Sequence, residues 1–110
     1  MIFHNRYSGK GSWYMNRDIE YLESIIRYCD NIGKTVSVFG NDEEDFFDNL
    51  DFQHSCAFKL SQIGEIVKKL STDLKKECPE TEWSDIAKLR DVISHRYEGI
   101  ELRTIWEIIT

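Results

Sequence analysis

Proline occurs once in the 110 residues, at Pro79, which excludes collagen-like and proline-rich architectures. No apolar run approaches the ~18 residues of a membrane span, and no hydrophobic signal segment opens the chain. Cysteine is scarce and odd in number. Cys29, Cys56 and Cys78 stand far apart with no C-x-x-C pair, a usage that fits reduced thiols better than a disulfide framework or a zinc site. The expectation is a cytoplasmic protein with no membrane association. The phosphate-binding and nucleophile motifs G-x-G-x-x-G, P-loop and G-x-S-x-G are missing, as is H-E-x-x-H. His4, His54 and His95 are dispersed, and Cys56 stands two residues from His54, pointing elsewhere on a helix. Neither a thiol protease nor a metal site is expected, and no cofactor is called for.

Positive charge is short as well. The formal charge is −6, against a broad basic face for duplex nucleic acid. The deficit is local. Residues 42–51 carry six acids (Asp42, Glu43, Glu44, Asp45, Asp48, Asp51) and no base, in an order that is not a calcium loop. That segment reads as a solvated face or a contact for a basic partner. From residue 52 onward nine Lys and Arg face ten Asp and Glu, so a local phosphate site there is neither excluded nor required.

What is present is enough apolar material for one domain, 41% of residues with 13% aromatic, arranged mostly at helical spacing. Residues 1–14 contain no acid and a Ser/Gly/Lys run, and are read as a flexible leader or tag-like extension. The domain is placed at 15–110. Asn16 is a candidate cap for a first helix carrying Ile19, Leu22, Ile25, Ile26, Cys29 and Ile32, with Gly33 suited to its end. The alternating Thr35-Val36-Ser37-Val38-Phe39 has no strand to pair with and is read as loop or frayed helix. Asn41 and Glu44 resemble a capping box opening a short helix through Phe46 and Phe47. A long helix is expected from about 51 to 71, with Gly64 marking a close helix–helix approach. Pro79 breaks the chain, a further helix spans about 82–96, and a last one starts near Ile100 and stops, still apolar, as if truncated. The fold class is all-α, an up-and-down bundle of four main helices and one short one.

One residue sits in the wrong company. On the 82–96 helix, Trp83, Ile86, Ala87, Leu89, Ile93 and Tyr97 form one apolar arc, and Arg90 falls in its middle. A guanidinium cannot shed its charge, so burying it unpaired would cost several kcal/mol. Either an acid reaches it from another helix, or the arc faces a wet groove. Solitary molecules with Arg90 locked onto an acid inside their own bundle would remove the case for a catalytic role. His95 lies about 140° round the helix from Arg90, one turn after Asp91, which could orient the imidazole.

The string Arg90-Asp91-Val92-Ile93-Ser94-His95-Arg96-Tyr97 resembles the R-x4-H-x-Y signature of HEPN-domain proteins of the HepT-like toxin family. Ile63-Gly64-Glu65, the stretch from Pro79 to Trp83, and Ile100-Glu101-Leu102 with Trp106-Glu107-Ile108-Ile109 agree in order and spacing. Asn16 to Leu22 is also similar to that family's first helix. The resemblance covers about residues 15–110. It implies a HEPN-like helical bundle, a homodimer that brings two Arg/His pairs to one groove, and a metal-independent ribonuclease toxin. It further implies an MNT-type nucleotidyltransferase antitoxin that transfers AMP to the motif tyrosine. Carried onto this chain, Arg90 and His95 are the catalytic pair, Asp91 the supporting position and Tyr97 the modified residue. RNA grip would come from Lys88, Arg96 and Arg103. The competing reading is a non-catalytic HEPN module that binds a nucleotidyltransferase and positions its substrate.

Overall fold

The computed structural model describes residues 12–96 and 102–110, with side chains at 17–93 and 102–110. Among them the chain forms α1 (Ser12–Phe39), α2 (Glu43–Asp48), α3 (Leu50–Lys69), α4 (Thr72–Glu77), α5 (Trp83–Arg96) and α6 (Leu102–Ile109). The all-α bundle expected from the helical spacing is what is found. Of the residues expected in a leader, 12–14 already belong to α1, which makes Asn16 an interior residue rather than a cap; residues 1–11 lie outside the described part.

Helix α3 is the spine. It packs against α1 on one side and α5 on the other, while α2 and α6 close one end. Asp18 meets Ser71 and Thr35 meets Lys59, so α1 and α3 run antiparallel. Phe52, Cys56, Leu60, Ile63 and Val67 of α3 are buried along the core, joined by Leu22, Ile32 and Val36 of α1. Ile26 and Cys29, expected on the inner face of α1, are exposed. At the closed end Phe39 stacks on Phe52 with ring centroids 5.2 Å apart. Phe46 meets Phe52 edge-on at 5.0 Å and Trp106 at 5.6 Å. Phe46 is fully buried whereas its neighbour Phe47 is exposed.

Four local readings are corrected by tertiary contacts. Gly33 does not end α1, and residues 35–39 are helix. Their alternating pattern is overridden because Val36 fills the core, Phe39 stacks on α3, and Thr35 Oγ1 donates to the Asn31 carbonyl at 2.9 Å. The helix ends at Gly40 (φ 136°) and Asn41 (φ 58°), whose amides both return to the Val36 carbonyl. With Asn41 consumed by that turn, the cap of α2 moves on by one residue: Asp42 Oδ1 accepts from the Asp45 amide at 2.9 Å. The second short helix, α4, went unanticipated. Ser71 caps it, accepting from the Leu74 amide at 3.1 Å, and this shortens α3 to Lys69.

Two buried polar side chains tie these ends down. Asp18 accepts from the Ser71 amide at 3.0 Å and from its hydroxyl at 2.6 Å, pinning the start of α4 to α1. Gln53 Nε2 donates to the carbonyls of Phe46 and Phe47, each at 3.0 Å, satisfying the last turn of α2.

Candidate active site

Gly64 brings α5 onto α3 as the sequence suggested. A Cβ there would stand 2.8 Å from the Arg90 amide nitrogen and 3.0 Å from the Ile86 carbonyl oxygen, closer than side-chain carbons approach backbone. This crossing sets Arg90 beside the residue after the glycine. Arg90 Nε lies 3.3 Å from Glu65 Oε2, and its terminal nitrogen is 3.7 Å from Asp91 Oδ1. Lys68 Nζ donates to Asp91 Oδ1 at 3.1 Å and stands 3.9 Å from Glu65. Two acids and two bases thus form one neutral cluster across the α3–α5 crossing.

Of the two resolutions open for Arg90, an acid from another helix is the one found. It does not seal the charge in. The side chain of Arg90 is 40% exposed and that of Glu65 43%. The apolar arc of α5 is itself incompletely covered: Ile93 is buried, while Trp83, Ile86 and Leu89 are half-buried. Helices α1 and α5 both lean on α3 and leave an apolar groove of about 380 Å³ between them, floored by Ile63 and Val67 and lined by Leu22, Trp83 and Ile86.

His95 and Arg96 occupy the last turn of α5, where the backbone register keeps His95 one turn beyond Asp91; their side chains lie outside the described residues, as does all of Tyr97. Lys88 is exposed on α5. Arg103, expected to grip RNA, stands 3.1 Å from Glu43, a charge contact between α6 and the acidic segment. Part of that segment is therefore an internal contact rather than a free face. The roles of Glu65 and Lys68 were missed in the sequence. Their signal was available in the Ile63-Gly64-Glu65 landmark, because a glycine at a helix crossing places its neighbours at the seam.

The thiols are not part of this chemistry. Cys56 has no exposed surface, and burial pushes its pKa up to about 11 against the opposing pull of nearby Lys59. Burial and the neighbouring Asp30 carboxylate also raise that of Cys29. Among the described residues no three His, Cys, Asp or Glu side chains converge as metal ligands, and no helix is long and apolar enough to cross a membrane.

The family model described as Ribonuclease HepT-like matches residues 18–110. The chain belongs to the HepT-like ribonuclease family. Relatives agree with that placement. The chain is 33% identical over 93 residues to a Methanocaldococcus jannaschii protein named "Putative RNase MJ1216", covering 83% of this chain and 74% of that one. It is 34% identical over 89 residues to "Putative RNase TTE0752" of Caldanaerobacter subterraneus, covering 81% and 78%. It is 33% identical over 66 residues to the "Probable ribonuclease HepT" of Thermococcus cleftensis, covering 60% of each. No solved structure matches. Arg90, at the surface of the α3–α5 crossing, lies within the matched span.

Proposed function

We propose that this chain is a metal-independent endoribonuclease, the toxin of a toxin–antitoxin pair in the cytoplasm, with Arg90 and His95 as its catalytic residues. The observation that carries the reading is the HepT-like match over residues 18–110, which includes a solvent-open Arg90 at the helix crossing.

RNA supplies its own nucleophile. The 2′-hydroxyl attacks the adjacent phosphorus, the bond to the 5′ oxygen breaks, and the products are a 2′,3′-cyclic phosphate and a 5′-hydroxyl end. His95 moves the proton, since imidazole titrates near neutral pH. Arg90 places its planar fork of donors on the phosphoryl oxygens as their charge grows. To do so it exchanges Glu65 for phosphate. Exposed ion pairs are worth about 0–1 kcal/mol, so that exchange is cheap. Asp91, held by Lys68, supports the turn that carries His95. A homodimer would bring two such pairs to one groove and pool Lys88 and Arg96 on the substrate. AMP transfer to Tyr97 by a partner nucleotidyltransferase would add a bulky anion two residues from His95, obstructing the phosphate by size and charge.

Cleavage of RNA in EDTA by the wild type, by Arg90→Ala and by His95→Ala tests the assignment, with sedimentation giving the oligomeric state. Loss of cleavage in both variants, with far-UV circular dichroism unchanged, is the expected result. Undiminished cleavage in His95→Ala refutes the proton-transfer role. The neutral cluster around Arg90 gives the non-catalytic reading its one foothold. Under it, neither variant impairs binding to the nucleotidyltransferase and the wild type cuts nothing.

A further inference from the structure

On the other side of α3, away from Arg90, two cations share a cleft whose lining holds no acid among the described residues. The cleft, about 480 Å³, lies between α1 and α3 and is lined by Ser24, Arg27, Tyr28, Asn31, Lys59 and Ile66. Lys59 and Lys68 are nine residues apart on α3, about 180° of helical turn, so this cleft is no extension of the Arg90 cluster. We propose that it is a subsite for a phosphate of the RNA strand, one that grips substrate away from the scissile bond. This rests on the ribonuclease reading.

The charge pattern is the first argument. The chain carries 20 acids against 14 Lys and Arg, and three bases at helix contacts are matched: Lys68 and Arg90 to Glu65 and Asp91, Arg103 to Glu43. Arg27 and Lys59 are not. Among the described residues neither has a carboxylate within ion-pair distance. Each is steered by a neutral hydroxyl instead. Lys59 Nζ donates to Thr35 Oγ1 at 2.6 Å, and Thr35 is itself buried and anchored to the Asn31 carbonyl at 2.9 Å. Arg27 Nη2 donates to Ser24 Oγ at 2.8 Å. An ammonium has three donors and a guanidinium five, so both cations keep donors to spare. Orientation is fixed while the charge is left intact, the arrangement an anion site needs and a structural ion pair does not.

The second argument is the cleft's mixed wall. A bare ion would need only the cations, whereas here the half-buried Tyr28 ring and Ile66 provide apolar surface beside them. Phosphate next to sugar and base presents the matching combination, and the volume falls within the ~300–1,000 Å³ of sites that hold small organic groups. The same chemistry would suit a free mononucleotide, and the test separates the two sources.

The probe is a short fluorescein-labelled 2′-O-methyl oligoribonucleotide, which lacks the nucleophile and stays intact, followed by anisotropy over a salt series with AMP as competitor. The variants are Arg27→Gln, Lys59→Met and the double substitution. Arg27→Lys and Lys59→Arg keep the charge. The double variant should bind about tenfold more weakly, and its log–log salt slope should be shallower by about 1.4, the value for two contacts on a single strand. The charge-keeping pair should retain most of the affinity, which separates lost phosphate contact from a damaged fold. Unchanged affinity and slope in the double variant, in a protein whose wild type cleaves RNA, overturns the subsite and leaves the ribonuclease reading standing. AMP displacing the probe at concentrations no higher than the unlabelled oligonucleotide assigns the cleft to free nucleotide and overturns the strand assignment. A wild type that neither binds nor cuts RNA ends both.

Discussion

Alanine at Gly64 would set a methyl carbon 2.8 Å from the Arg90 amide nitrogen and 3.0 Å from the Ile86 carbonyl oxygen, both backbone atoms that cannot rotate away. Ordinary contact needs roughly half an ångström more, so α5 must recede from α3. Overpacking of this kind costs about 1–3 kcal/mol, set against a helix-propensity gain of about 1 kcal/mol for replacing glycine. The net expectation is a loss of up to about 2 kcal/mol. Gly33 supplies the control. It too lies inside a helix, α1, but is exposed, and a Cβ there meets nothing within 4 Å. Gly33→Ala should therefore gain up to about 1 kcal/mol from propensity alone. The same chemical change meets backbone at one helical site and open space at the other, and the gap of about 1–3 kcal/mol corresponds to roughly 4 °C or more in Tm for a domain of this size. Thermal and urea unfolding followed by far-UV circular dichroism read it directly. A Gly64→Ala protein stabilised as much as Gly33→Ala would refute the close crossing, and with it the placement of Arg90 beside Glu65.

Asp18 is buried and accepts two hydrogen bonds from Ser71; Asp18→Ala leaves that amide and hydroxyl without their partner. The cost should be about 2–3 kcal/mol, read by urea unfolding, and should fall by roughly half in a Ser71→Ala background, which removes the hydroxyl and keeps the amide. Cys56 governs an alkaline limb of stability. Its folded pKa lies above that of the unfolded thiol, so the contribution is fully present below about pH 8.5 and is lost as pH rises toward 11, when only the unfolded chain has ionised. Over that window the wild type should lose about 2–3 kcal/mol more than Cys56→Ala, measured by urea unfolding at a series of pH values; parallel pH profiles would show that the thiol does not contribute.

Apolar spacing alone determined that this chain is helical, because residues at three- and four-residue intervals, such as Phe52, Cys56, Leu60, Ile63 and Val67, can reach one core only along a helix. It also marked Gly64 as a seam, since an interior glycine is costly unless two backbones meet there. Arg90 was legible for a related reason: a fixed charge amid an apolar arc has to be answered by something. Which answer applied was a matter of tertiary structure. Glu65 lies 25 residues before Arg90, and only the crossing of α3 with α5 brings the two within 3.3 Å. Long-range packing likewise overrode the alternating pattern of residues 35–39, where burial of Val36 against α3 outweighs β-branched reluctance in a helix. It also decided which bases are spent on acids and which are not. Arg27, Lys59, Lys68 and Arg103 are equivalent letters in the sequence; three-dimensional neighbours neutralise the last two and leave the first two charged around one cleft, because Coulomb interaction depends on distance through space and not along the chain.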